Sequence, residues 1–250
     1  MRYCWAATHS ACSGKISREH YVSSSVFEQQ SIFVQGFHWC AENEKEVSVA
    51  SITAKILCQS HNSALSPVDQ AGAEAVRAFE STWPTEIRSM DTTNAKLTID
   101  GPLMERWLLK TAINVSVNGG YHIGLGMTDS QVGQPSPYLL AVAFGELPFS
   151  HKMGLYTLFP GECQRMKAGS FSVYPLRKNG SLGAFVFHVR GFDFLLNLFP
   201  GHAPPCLREL GINRDPGGRH YLLDCNPQYR IRSMVSRNDV GGRHEIFIKW

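Results

Sequence analysis

The sequence predicts an α+β fold, in which a small metal-built N-terminal region precedes a mainly β region with one packed helix. Three observations support this prediction. Cysteine and histidine residues are concentrated near the start of the chain, and a helical pattern follows them. Beyond Gly119-Gly120, short apolar runs alternate with Gly, Pro and Asn residues, which is typical of strands joined by turns.

The bulk composition is that of a globular protein. With 250 residues, 43% of them hydrophobic and 18% charged, the chain can bury a core in one or two domains, and this composition argues against a disordered chain. The polar, proline-containing segment from Thr82 to Asn94 predicts the boundary between the two regions. We therefore assign residues 1–95 to the metal region and residues 96–250 to the mainly β region.

The charge distribution gives a weak indication of a partner. The formal net charge of +3 divides into −2 for residues 1–96 and +5 for residues 97–250. Six arginines from Arg214 to Arg243 indicate a mildly basic C-terminal face. A solvated surface with scattered arginines explains the same pattern equally well.

Cysteine usage depends on the compartment. We find no apolar run that could span a bilayer and no secretory signal pattern, so we expect a cytoplasmic protein without a membrane partner. The seven cysteines are then thiols or metal ligands rather than a disulfide framework. Cys163, Cys206 and Cys225 have no chelating partner nearby in sequence, and we interpret them as small buried residues.

In the N-terminal region, the sequence pattern predicts strands followed by helices. Residues 16–27 and 47–57 are β-compatible, and residues 33–37 form a further strand or turn. The pattern becomes helical after Cys58. Ser66-Pro67 is a typical helix start, with Asp69 as a carboxylate in the first turn.

In residues 96–250, the sequence pattern predicts one helix and several strands. The helix runs from Pro102 to about Val115, is capped by Asp100, and buries a broad apolar stripe. Asn179-Gly180 is a hairpin turn, and residues 192–199 form a strand or a buried helical turn. The other strand-like runs are residues 138–144, 154–159, 170–176, 183–189, 221–223 and 245–250.

A metal site is predicted around Cys58 and His61. Their spacing allows both to chelate one zinc ion from a single turn. Cys4 and Cys12 can supply the other two ligands if the loop between them folds back. His9 or Cys40 could replace one of this second pair. Alternatively, each cysteine is simply a small buried residue.

A second candidate site is centred on Glu19 and His20. Neighbours on a strand point to opposite sides unless a bulge or strand end brings them together. Where they converge, the carboxylate can bind a divalent cation while the imidazole takes a proton from water. The cation neutralises charge on a phosphate, and Asn62 can complete its site from the helix. A surface pair without a catalytic role is the alternative.

Taken together, these segments resemble a known family. Cys4…Cys12, Ser17-Arg18-Glu19-His20-x-Val22 and Leu57-Cys58-x2-His61-Asn62 are similar to the HNH endonucleases, whose ββα-metal fold carries a flanking zinc knuckle. The resemblance covers residues 4–69. It implies a metal-binding acid at Glu19, a general base at His20, and a helix-borne metal ligand at Asn62. It assigns the zinc knuckle to Cys4, Cys12, Cys58 and His61.

The resemblance implies a function. We expect a metal-dependent HNH-type endonuclease that hydrolyses DNA, with structural Zn²⁺ and with catalytic Mg²⁺ or Mn²⁺ held by Glu19 and Asn62. The C-terminal region would position nucleic acid, bind a protein partner or form a homo-oligomer. The alternative is a catalytically degenerate, zinc-stabilised module that binds nucleic acid or protein. Away from this site, we expect His188, Arg190 and Asp193 to form a structural network.

Overall fold

The computed structural model describes residues 4–82, 95–124, 134–150, 153–158, 169–178, 181–190, 192–198, 233–237 and 243–250. Within these ranges the fold is α+β and sheets dominate, as predicted. The predicted turn at Asn179-Gly180, the strand at residues 221–223, and Cys163, Cys206 and Cys225 lie outside the described residues. In chain order, the elements are β1 Ile16–His20, β2 Ser31–Gln35, β3 Lys45–Ser48, β4 Thr53–Cys58, α1 Gln59–Ala64, α2 Ser66–Thr82, β5 Ala95–Asp100, α3 Gly101–Gly119, α4 Pro137–Phe144, β6 Gly154–Leu158, β7 Ser170–Lys178, β8 Ser181–Val189, β9 Phe192–Asn197, β10 Ser233–Arg237 and β11 Arg243–Lys249.

A two-stranded hairpin leads into the first helix. β1 pairs antiparallel with β4, with Ile16 opposite Cys58 and a bulge between Ser17 and Glu19. β1 is shorter than the predicted run over residues 16–27, because the chain leaves the hairpin after His20 and forms a 3-10 turn at Ser24–Val26. α1 follows β4 directly, so the order is two antiparallel strands and then a helix.

The largest sheet joins both parts of the chain. Its strand order is β3-β2-β7-β8-β9-β6, and β2 pairs parallel with β7. Strands from both sides of residue 95 therefore belong to one sheet. The predicted run over residues 47–57 is interrupted by a 3-10 turn at Val49–Ser51, so that β3 joins this sheet while β4 belongs to the hairpin. Residues 192–197 form a strand, which decides between the two predictions made for that segment.

A three-stranded sheet lies directly before α3, because its strand β5 ends at the residue that precedes the helix. Its order is β10-β11-β5, with β5 and β11 parallel. β5 is not predicted from the sequence, because it lies beside the polar boundary segment and runs straight into the helix. The Asp100 side chain accepts a hydrogen bond from the Leu103 amide at 2.9 Å, which confirms the predicted cap. The helix continues past the predicted end at Val115, up to the left-handed Gly120.

The prediction of a strand at residues 138–144 is wrong. These residues form α4, so the described part of the second region has two packed helices where the sequence predicts one. Ser136 caps the helix by accepting from the Leu139 amide, and Gly145 ends it with a φ of 80°. A short apolar run has no periodicity that separates a buried strand from a buried helix. The Ser-Pro start and the Gly stop were the informative signals.

α2 and α3 approach each other closely at Gly72. A Cβ atom at this position would lie 2.5 Å from ring carbons of Trp107, whose side chain is fully buried. The absence of a side chain on α2 therefore lets the indole of α3 lie directly against the helix backbone. This contact sets how deeply α3 enters the N-terminal region.

We expect Gly72→Ala to lower the free energy of unfolding, measured by urea denaturation. Overpacking against Trp107 costs about 1–3 kcal/mol, which outweighs the roughly 0.5–1 kcal/mol that Ala normally contributes over Gly in a helix. Arg77→Ala, on the exposed side of the same helix, is the control and should stay within about 0.5 kcal/mol of the wild type. An increase in stability for Gly72→Ala would contradict the tight packing.

Candidate metal centre and adjoining charged site

Four predicted zinc ligands meet at one point. The ligand atoms of this metal group all lie within 4.8 Å of one another. Two of the residues come from the junction of β4 and α1, where the last strand residue and the first helical turn place a thiol and an imidazole side by side. The members of the metal group are Cys4, Cys12, Cys58 and His61.

Backbone hydrogen bonds bring the N-terminal loop to this junction. The Trp5 amide donates to the Ile56 carbonyl at 2.9 Å, and the Ser60 amide donates to the Ser13 carbonyl at 3.4 Å. The loop that contains Cys4 and Cys12 is thereby fixed at one end to β4 and at the other to the start of α1. This is the fold-back on which the predicted ligand set depends.

The two alternative ligands lie outside the metal group. The His9 ring stacks on Phe144 of α4 with centroids 4.2 Å apart, and its centroid is 6.3 Å from that of His61. Cys40 is buried and pairs through its backbone with Phe37. Among the described residues, Cys4 and Cys12 are therefore the pair that completes the site.

The distances within the metal group agree with a tetrahedral ion. The His61 Nδ1 atom lies 3.1 Å from the Cys58 Sγ atom, 3.3 Å from that of Cys4 and 3.8 Å from that of Cys12. Bond lengths typical of zinc place sulfur and nitrogen ligands about 3.5 Å apart in a tetrahedron. His61 Nε2 lies 2.8 Å from Ser10 Oγ, so its N–H can donate there and leave Nδ1 for a metal. The group can hold a metal ion and is compatible with structural zinc.

The thiols differ in how readily they ionise. Burial raises the pKa of Cys58, but hydrogen bonds with the Ser60 side chain, the His61 and Ser13 backbones and the Cys12 side chain together outweigh this and lower the pKa to about 6. Burial raises the pKa of Cys4 to about 12. Cys58 thus offers a thiolate at neutral pH, whereas Cys4 needs the charge of a bound metal to lose its proton.

The predicted cation ligand Glu19 is buried and paired with a lysine. Glu19 is 5% exposed, and its Oε1 atom lies 2.6 Å from Nζ of Lys110, which is 1% exposed. Lys110 Nζ also lies 2.7 Å from each carboxylate oxygen of Asp69. An ammonium group has three hydrogens to donate, and three carboxylate oxygens surround this one.

Asn62 reaches the same carboxylate. Burial raises the pKa of Glu19 above its usual value; the charge of Lys110 opposes this most strongly, and a hydrogen bond from Asn62 also lowers the pKa. The Asn62 amide nitrogen lies 3.4 Å from Ser17 Oγ as well. The structure therefore brings Glu19 and Asn62 together across the hairpin and helix.

His20 lies in the field of the same charges. Its pKa is lowered by burial and by the positive charge of Lys110, while Asp69 opposes the shift. Its backbone carbonyl accepts a hydrogen bond from Asn114 of α3 at 3.1 Å. Lys110 therefore pairs directly with Glu19, and its charge also lowers the pKa of His20, the next residue of β1.

The contacts of Lys110 and Asn114 come from one stripe of α3. Trp107, Lys110 and Asn114 are spaced three and four residues apart and lie on one helix face. Trp107 Nε1 donates to Ser23 Oγ at 3.2 Å, and that hydroxyl donates to Asp69. Lys110 was not predicted as a site residue, and Asp69 was predicted only to start a helix. A lysine inside the apolar run of α3 was the available signal.

The predicted divalent cation does not fit beside Lys110. Its ammonium group lies against Glu19, where Mg²⁺ or Mn²⁺ was expected, and both oxygens of Asp69 are engaged by the same group. A hard cation needs these oxygens as ligands. The residues present therefore support the zinc site and do not support a second ion next to it.

Other polar groups form a separate network in the large sheet. His188 Nδ1 is bonded to the Asp193 carboxylate across β8 and β9, and the His188 ring contacts Tyr174 edge-on. Arg190 pairs with Glu80 of α2. These contacts tie the sheet to α2, in line with the structural role predicted for His188, Arg190 and Asp193.

Comparisons with known proteins leave the family open. No protein-family model, curated protein or solved structure matches this chain. No described helix has both the length and the apolar character needed to cross a membrane. The resemblance to HNH endonucleases stays a prediction, carried by the quoted motifs.

We expect purified protein to contain one zinc ion per chain, measured by plasma mass spectrometry. Cys58→Ala removes the thiolate that is ionised at neutral pH, so zinc affinity should fall at least ~100-fold and the melting temperature should drop. Cys40→Ala, a buried cysteine outside the metal group, is the matched control and should keep its zinc. Equal zinc loss in both variants would refute the assigned ligands.

We expect the His20 ring to titrate below the ordinary value of 6.5, followed by NMR of its ring protons. Burial and the charge of Lys110 both disfavour the imidazolium form. Asp69→Asn removes the one charge that opposes this shift, so it should move the His20 midpoint further down. A midpoint above 6.5 in the wild type, or a rise in the variant, would contradict the described electrostatics.

Proposed function

We propose that this protein is an HNH-type endonuclease that hydrolyses phosphodiester bonds in DNA, with His20 as its general base. The observation that carries the proposal is that Asn62, the residue after His61 of the metal group, hydrogen-bonds to Glu19, the neighbour of His20 on β1. These are the residues that the sequence motifs marked for catalysis. Glu19 is buried and hydrogen-bonds to the Asn62 side chain of α1, which is not expected of an exposed Glu-His pair without a catalytic role.

The order of the elements supports the proposal. β1 and β4 form an antiparallel pair, and α1 begins at the next residue with His61 and Asn62 in its first turns. In this arrangement, the metal group would hold a zinc ion between the N-terminal loop and the junction of β4 and α1. Asn62 would then be fixed relative to the hairpin, because His61 of the metal group is its neighbour in the helix.

The electrostatics suit a general base. A base must be neutral to accept a proton, and the lowered pKa of His20 keeps the imidazole neutral at physiological pH. His20 then takes a proton from water as the water oxygen attacks phosphorus; the bond from phosphorus to the leaving sugar oxygen breaks, and that oxygen takes a proton from solvent water. Asn114 holds the His20 backbone through its carbonyl while this occurs. Asn114 of α3 therefore positions the general base His20.

A second candidate function is favoured by one specific contact. Lys110 forms an ion pair with Glu19, as it could in a site that has lost its catalytic activity. This favours a zinc-stabilised module that binds nucleic acid or protein without cleaving it. Such a module would retain full DNA binding when His20 is replaced. Gel-shift assays that show equal binding by wild type and His20→Ala, without cleavage by either, would support it.

Plasmid nicking tests the nuclease proposal. Zinc-loaded protein is incubated with supercoiled DNA without added divalent ion, with Mg²⁺ and with Mn²⁺. We expect nicking that His20→Ala lowers by about 10²–10⁴-fold, with zinc content and circular dichroism unchanged. Since the His20 pKa lies below 6.5, the rate should decline only at pH values under that figure.

His38→Ala is the matched control for this assay. His38 lies on an exposed turn and contacts Asn118, so its loss should leave nicking unchanged. Full nicking by His20→Ala would remove His20 from the mechanism.

A further inference from the structure

We propose that Lys110 is a built-in cation that takes the place of the divalent ion in the HNH-type site, so that the chain binds zinc and no catalytic metal. This inference deepens the proposed function by specifying the cation requirement of the same site, and it rests on that proposal for its catalytic meaning. Its first consequence concerns ion binding and can be measured without any activity.

The position of a second ion is already occupied. Lys110 Nζ lies 2.6 Å from Glu19 Oε1 and 2.7 Å from both oxygens of Asp69. Each ammonium hydrogen has a charged acceptor at hydrogen-bond distance. An incoming ion would have to displace the ammonium group from these oxygens before it could use them.

Lys110 is also held in place by its surroundings. It is 1% exposed, and the residues one turn away on the same face of α3 are also bonded to the N-terminal region. Trp107 donates to Ser23, and Asn114 donates to the His20 carbonyl. A long surface lysine could swing aside for a metal, but this one would have to leave a packed interior without its counter-ions.

The charge of Lys110 is the one that a metal would otherwise supply. Two carboxylates beside a phosphate would repel it, and in a metal-dependent site the bound cation removes that repulsion. Here the positive charge of Lys110 compensates part of the negative charge of Glu19 and Asp69. Lys110 is therefore a positioning residue: it holds the two carboxylates and does not touch the substrate.

The test is Mn²⁺ binding by zinc-loaded protein from which excess metal has been removed, followed by the electron paramagnetic resonance of free Mn²⁺. We expect no binding by the wild type at millimolar Mn²⁺. Lys110→Met frees the carboxylates of Glu19 and Asp69 and should bind one Mn²⁺ at least ~100-fold more tightly than the wild type. Adding Glu19→Gln to that variant should abolish the binding. The control is Lys55→Met, at an exposed lysine of β4, which should behave as the wild type.

The wild type decides the matter even if Lys110→Met fails to fold. Bound Mn²⁺ would broaden the NMR signals of the His20 ring by paramagnetic relaxation. We expect no selective broadening of these signals. Selective broadening at His20 in the wild type overturns the inference.

Nicking separates this inference from the proposed function. Cleavage that needs no added divalent ion and is lost in His20→Ala supports both. Cleavage that requires Mg²⁺ or Mn²⁺ overturns the role of Lys110 and leaves the nuclease standing. If no cleavage occurs under any condition and Mn²⁺ does not bind, the nuclease proposal falls, while the exclusion of the ion by Lys110 is supported.

Discussion

Lys110 places a positive charge in the interior, and the arrangement of the surrounding elements depends on how that charge is compensated. A buried ammonium group costs several kcal/mol unless it is both paired and hydrogen-bonded. Glu19 from β1 and Asp69 from α2 provide the acceptors. Consequently α3 must lie against the hairpin and α2 at once. The missing side chain at Gly72 allows the close approach that this requires.

The metal group and the charged site are mechanically connected through α1. His61 contributes a nitrogen that can ligate a metal, and the next residue, Asn62, hydrogen-bonds to Glu19. An ion bound by the metal group would fix the start of α1 and therefore also the Asn62 side chain that hydrogen-bonds to Glu19 of β1. The two centres thus share one short helix but differ in chemistry, since one is built from soft donors and the other from carboxylates and an ammonium group.

The sequence predicts the parts of this site that depend on local spacing. The Cys58-x2-His61 spacing and the helix start at Ser66 are set within one or two turns, and both could be read directly. The partners of Cys58 and His61 remained open, because the fold-back of the loop depends on backbone bonds such as that of Trp5. The sequence alone places Lys110 in no site, since its partners become visible only once the packing of α3 is known. It predicts a strand in place of α4 because eight consecutive apolar residues carry no helical or strand periodicity.

Because α3 lies beyond residue 95, the N-terminal region cannot be moved into another protein as an independent unit without losing part of its site. The helix lies beyond residue 95, yet it delivers the counter-charge for two carboxylates that precede that point. A fragment ending at residue 95 would keep its four soft donors but would bring Glu19 and Asp69 together with no ammonium group between them. Recombination that moved this region into another protein would have to carry α3 along with it.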